Sequence, residues 1–177
     1  MLPGNSAIFG RTSSSGALRY DLWLGSSRGA GDLYLSYMDT PNVPAFNIPV
    51  DGRLIWVRIW TITAATALYN DYAYTALQAA VITSPSPGSS LSGPSVNVTR
   101  TNSPGAIRYD LWVGSSPGSL DLYATYVPGT AVTVPNLPTD GRLIYMRLWT
   151  VTAGGAGYTE VVVRASLGSQ IQGSGPH

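Results

Sequence analysis

The sequence predicts an all-β protein made of two tandem antiparallel sandwiches, the first lacking its own opening strand. Three observations predict it. The chain repeats itself: "ALRYDLWLGSS" at 17–27 returns as "AIRYDLWVGSS" at 106–116, and "DGRLIWVRIWTIT" at 51–63 returns as "DGRLIYMRLWTVT" at 140–152. Both pairs share an offset of 89 residues with no gap between them, so the two copies are one structural unit used twice. Within each copy, short alternating or aromatic-rich runs are separated by Gly, Pro, Ser and Asp, the pattern of strands and tight turns. No stretch keeps a helical period for three turns.

Taken in order, "RYDLWLG" at 19–25 alternates, with Tyr20, Leu22 and Leu24 on one face and Arg19, Asp21 and Trp23 on the other. "DLYLSY" at 32–37 follows the turn "GSSRGAGD", and "PVDGR" at 49–53 opens the next strand. There, "LIWVRIW" at 54–60 alternates again, with Ile55, Val57 and Ile59 inward and Trp56, Arg58 and Trp60 outward. "YNDYAYTA" at 69–76 closes the unit. Strands at intervals of about 8–12 residues with such turns imply a sandwich of the immunoglobulin type. The expected boundaries are a first sandwich at 1–78, a complete second one at 79–166 and a terminal segment at 167–177.

Composition narrows the function classes. With 44% hydrophobic and 11% charged residues among 177, the chain is too apolar to be disordered; 20 Gly and 13 Pro leave no room for long helices. A net charge of +1 offers no electrostatic footprint for nucleic acid. No run of 18 apolar residues exists to span a bilayer, and the opening "MLPGNSAIFGR" lacks the regions of a signal peptide. Cysteine is absent, which excludes disulfides and thiolate metal sites. All ten cations are Arg, so lysine chemistry is excluded, and the planar guanidinium suits a chain rich in Trp and Tyr.

The run "ITSPSPGSSLSGPSVNVTR", followed by "YDLWVGSS", "DLY" and "VTVPNLPTDGRLIYMRLWTV", resembles a repeat of secreted bacterial multidomain proteins. That repeat is treated as fibronectin type III-like. The resemblance covers nearly the whole chain, twice, and implies fold rather than activity. It implies an extracellular or cell-surface protein. The sequence departs from it where an aromatic of an early strand is replaced by Phe9-Gly10-Arg11 and by Val98-Thr99-Arg100.

The ends of the repeat do not match. "MLPGNSAIFGR" at 1–11 aligns with "SLSGPSVNVTR" at 90–100, and the preceding "AAVITSPSPGS" at 79–89, the expected strand A, has no counterpart before Met1. Conversely, "SQIQGSGPH" at 169–177 falls on "AVITSPSPG" at 80–88. The terminal segment is therefore expected to be a strand A with no sandwich after it. Its pairing residues are Leu167, Ser169, Gln170, Ile171 and Gln172, with Ile171 at the position of Ile82. The expected acceptor edge is Leu2, Ile8 and Phe9 in the first unit. Two sandwiches laid end to end put that edge about 60–80 Å from the tail, whereas a dozen residues span at most about 40 Å. Donation to a second copy is then expected, and head-to-tail donation does not close. One chain is 177 residues against 178 for two periods, so a polymer is expected to continue the repeat with a seam of a single residue.

No constellation for chemistry emerges. Asp21 and Asp110, Asp32 and Asp121, Asp51 and Asp140, and Asp71 and Glu160 recur in both copies, and turn or edge roles explain them more simply than catalysis. His177 is alone and cannot build a metal site. No catalytic residue, metal ligand or cofactor is expected. The sharper pattern is the outward face of Trp23, Trp56, Arg58 and Trp60, repeated as Trp112, Tyr145, Arg147 and Trp149. Interleaved Arg and aromatic rings make a cation–π ladder, which the sequence favours over a stacking platform for sugars. The expected function is a structural filament subunit whose partners are copies of itself. The alternative is a carbohydrate-binding or adhesive module in which those faces take surface glycans.

Overall fold

The computed structural model describes residues 1–168. Every element among them is a strand, and their antiparallel sheets form two β-sandwiches in tandem along the chain. Compact packing divides the chain into one unit of 1–79 with 103–107 and 150–158, and a second of 80–102 and 108–149 with the described residues from Thr159 on.

In the first unit, β1 (Ala7–Gly10) pairs with β4 (Asn42–Ala45), Phe9 lying opposite Val43. The facing sheet runs β3 (Tyr34–Tyr37), β2 (Ala17–Gly25), β5 (Leu54–Thr63), β6 (Ala67–Thr75). The inward residues are those the alternation assigns: Tyr20, Leu22, Leu24, Ile55 and Val57 are buried with Phe9, Val43 and Ala45 from the other sheet. Burying a Leu or Ile side chain contributes about 1.5–3 kcal/mol, enough for such a core to define the fold.

The second unit has one strand more. Its smaller sheet runs β11 (Ala131–Val134), β8 (Val96–Arg100), β7 (Ile82–Ser84). Its larger sheet runs β10 (Tyr123–Tyr126), β9 (Ala106–Gly114), β12 (Leu143–Thr152), β13 (Gly155–Arg164). Ile82 of β7 enters a core with Val98, Val134, Leu111, Met146, Leu148 and Val163. β7 is the expected strand A. It is short because Pro85 and Pro87 follow and cannot donate to a ladder. Beyond them the chain changes sheet: Gly88 N donates to Val162 O at 2.7 Å, Leu91 N to Arg164 O at 2.8 Å, and Ser90 bridges Arg164 in parallel.

The first unit has no described counterpart of β7, as the offset predicts. Its N-terminus retains only the last part of the path: Leu2 is buried and its N–H donates to Thr75 O at 2.7 Å, as Leu91 does to Arg164.

Candidate functional site

Where β7 sits in the second unit, the first carries a groove of about 710 Å³. β1 forms one wall, and its edge away from β4 has no partner among the described residues. β5 and β6 form the floor and the other wall, with Val57, Ile59, Tyr72 and Tyr74 facing the space. Leu2, Ile8 and Phe9, the residues expected at the acceptor edge, all line it. They do so differently. Leu2 and Phe9 are buried beneath it, whereas Ile8 is exposed on β1 opposite Pro44.

The repeat supplies an internal control for what filling this space does. Leu148 on β12 is 1% exposed; Ile59, at the same repeat position, is only half-buried. Val161 on β13 is 9% exposed, whereas its counterpart Tyr72 is 46% exposed. The strict in–out alternation of β12 fades in β5 after Val57, where β5 reaches the groove. Two larger rings replace the valines of the second copy: Tyr72 stands for Val161 and Tyr74 for Val163, and Tyr74 meets Phe9 edge-on at 6.0 Å. An apolar floor beside an unpaired strand edge is a template for another strand.

The terminal segment is expected to fill such a groove, and of its residues only Leu167 and Gly168 are described. Ser169, Gln170, Ile171 and Gln172 lie outside the described residues. The chain leaves both units by the same bonds. Ala76 N donates to Arg53 O and Ala165 N to Arg142 O, both at 2.8 Å. Ala79 N donates to Val50 O and Gly168 N to Thr139 O, again at 2.8 Å in each. Gln78 bridges Asp51 as Leu167 bridges Asp140. After Ala79 that path continues directly into β7. Leu167 is 80% exposed and so contributes nothing to its own unit's core.

The aromatic and Arg faces bring rings and guanidinium groups into contact. β2 and β5 are neighbours, with Trp23 opposite Arg58 and Asp21 opposite Trp60. Trp23 meets Trp60 edge-on at 5.4 Å, and Trp60 meets Tyr69 at 5.0 Å. The Arg58 guanidinium lies 3.7 Å from the Tyr69 ring centre and 5.3 Å from that of Trp60. Its Nε and Nη2 donate to Asp71 at 2.7 and 2.9 Å, and Arg28 Nε adds a third bond to the same carboxylate. Arg28 also lies over Trp56. In the second unit, Trp112 meets Trp149 at 5.3 Å, and Arg147 lies over Trp149 and donates to Glu160 at 3.0 Å. Tyr145 is half-buried on the same strand face. The guanidinium donors of Arg58 are turned onto an acid of the same sheet rather than toward a ligand. Asp32 and Asp121 do turn work: Ser26 N and Oγ donate to Asp32, and Ser115 N and Oγ donate to Asp121.

This pairing carries a pH signature. Arg58 first, then Arg28, holds the Asp71 carboxyl down at about 2. The folded value lies below the unfolded one of about 3.9, so its contribution is complete above that range and is lost as pH falls toward 2. Acid titration of melting temperature is expected to show a decline from about pH 5 to pH 2, shallower in Asp71→Asn.

Sequence reasoning missed one pair of contacts. Arg11 stacks on Tyr20 at 3.7 Å and Arg100 on Tyr109 at 3.4 Å. The signal was present: each Arg precedes its Tyr by the same nine residues, at the positions where the family pattern is broken.

No protein-family model and no curated protein sequence matches the chain. Among solved structures, it is similar to the FN1–FN3 domains of chicken CNTN1 at 8% identity and a TM-score of 0.31, covering 94% of this chain and 64% of that one. It is similar to an amphioxus IgVJ-C2 molecule at 14% identity and 0.31, covering 94% and 99%. A chimeric titin Z1Z2-Z1Z2 tandem aligns at 10% identity and 0.34, covering 93% and 92%.

Proposed function

We propose that the chain is a non-enzymatic extracellular structural protein, a filament subunit that polymerises head-to-tail by donating residues 167–173 to the first sandwich of the next copy. The observation that carries this reading is the groove at the place of β7, in a chain whose far end repeats the path into β7. In this reading 1–78 is the acceptor sandwich, 79–166 a complete one and 167–177 the donor. Adding a strand to an exposed edge uses main-chain hydrogen bonds for affinity and side-chain pockets for specificity. The contact is heterologous: donor and acceptor lie on different surfaces, so each addition leaves a new groove and a new tail. The Trp/Arg faces stiffen each sandwich in this reading. As glycan sites they are disfavoured, because Arg58 and Arg147 are held by Asp71 and Glu160.

The test is to shorten the chain to residues 1–168, which keeps every described contact. Negative-stain images and size-exclusion profiles of the full chain are expected to show filaments, and those of the shortened chain folded monomers. Filaments of the shortened chain, or monodisperse full-length chains at every concentration, would overturn the reading.

A further inference from the structure

The second unit shows how a strand A is held, and the repeat transfers each bond to a named residue of the groove. Ile82 lies opposite Arg100, and Thr83 Oγ1 meets Thr99 Oγ1 at 2.7 Å. Val81 N donates to Thr101 Oγ1 at 3.0 Å, and Thr101 N donates back to Val81 O at 3.0 Å. Thr159 Oγ1 donates to Ala80 O at 2.7 Å. At the offset of 89, the receiving positions of the first unit are Arg11 for Arg100, Gly10 for Thr99, Thr12 for Thr101 and Asn70 for Thr159. All four line the groove. Thr12 keeps the hydroxyl that takes a backbone N–H. Asn70 is a different residue from Thr159 but still offers a donor, through its amide. Gly10 and Asn70 are exposed, with nothing of the described chain over them.

We infer that the groove fixes a single register for the donated strand and that Thr12 and Asn70 are its polar clamps. Ile171 lies opposite Arg11 with its side chain over Phe9 and Tyr74; Gln172 lies against Gly10. In that register Gln170 N donates to Thr12 Oγ1, Thr12 N donates to the Gln170 carbonyl, and the Ser169 carbonyl accepts from the Asn70 amide. Register is selective because the side-chain period is two: a slip of one residue turns Ile171 to solvent. A slip of two leaves a Ser or Gly at the apolar position, since Ile171 is the one large aliphatic residue of 169–177. This inference rests on the donated-strand reading, and it names the residues that make the site specific for this segment.

The absence of cysteine allows a direct test in the full chain. The double variant Gly10→Cys/Gln172→Cys, oxidised under assembling conditions, is expected to give a ladder of covalent multimers that collapses on reduction. Gly10→Cys/Gln170→Cys, two residues out of register, is expected to give little. A Cβ added at Gly10 meets only the exposed Asn42 side chain, at 2.9 Å, so the described groove accommodates the cysteine. A ladder from the Gln170 pair, or filaments without any ladder, overturns the register while leaving filament formation standing. A disulfide confined to single chains overturns donation between copies. Asn70→Ala is expected to weaken assembly about threefold to tenfold, the worth of one neutral hydrogen bond, and Asn70→Thr to restore it. Equal assembly by Asn70→Ala removes Asn70 from the clamp.

Discussion

A chain that carries a second copy of residues 79–89 ahead of Met1 is expected to stay monomeric and to melt at a higher temperature. The copy supplies the first unit with the strand that the second already has, and the repeat alignment joins it to Met1 with no change of spacing. Burial of the copied Ile82 alone is worth about 1.5–3 kcal/mol, and each backbone hydrogen bond adds about 0.5–1.5 kcal/mol. In a sandwich of this size, each kcal/mol raises the melting temperature by about 4–8 °C. The rise is expected in the first unit's transition, as followed by calorimetry. If the melting profile is unchanged and filaments persist, the groove is not a vacant strand site.

The second large effect separates the two units at one repeat position. Leu148→Ala removes a side chain that is 1% exposed and is expected to cost about 2–5 kcal/mol. Ile59→Ala removes its counterpart from the wall of the groove, where part of its surface already meets water, and is expected to cost about 1–2 kcal/mol. The difference should narrow in the chain with the copied strand, because Ile59 then shares a closed core with that strand as Leu148 shares one with Ile82 of β7. Urea denaturation of the four variants gives the comparison. An equal cost at both positions in the native chain contradicts the contrast in burial.

The sequence exposes the parts of this architecture that repeat with period two. Ile55 and Val57 point inward and Trp56 and Arg58 outward because alternation in a half-buried strand is forced by the pleat. The 89-residue offset was legible in the same way, and it sets Leu2 at the position of Leu91 and Phe9 at that of Val98. Less legible was what the groove does to its own lining. Tyr72 and Tyr74 read simply as aromatic strand residues, and only their side-by-side comparison with Val161 and Val163 marks them as the wall of an open site. The change of sheet after β7 was hidden too. Pro85 and Pro87 interrupt the ladder locally, but where the chain pairs afterwards, on β13, is settled by a strand some 75 residues further on. The Arg11–Tyr20 and Arg100–Tyr109 stacks were missed because each joins residues of the two facing sheets or their ends, and strand-by-strand alternation is silent on such contacts.

The central claim, that the groove takes the C-terminal segment of another copy, is tested most directly by titrating a synthetic peptide of residues 165–177 into the chain shortened to 1–168. The expected result by calorimetry is saturable one-to-one binding that raises the melting temperature of the first unit. A peptide with Ile171→Asp should not bind, and neither peptide should bind the shortened chain that carries the copied strand. No binding by the native peptide, or equal binding by the Ile171→Asp peptide, would contradict it.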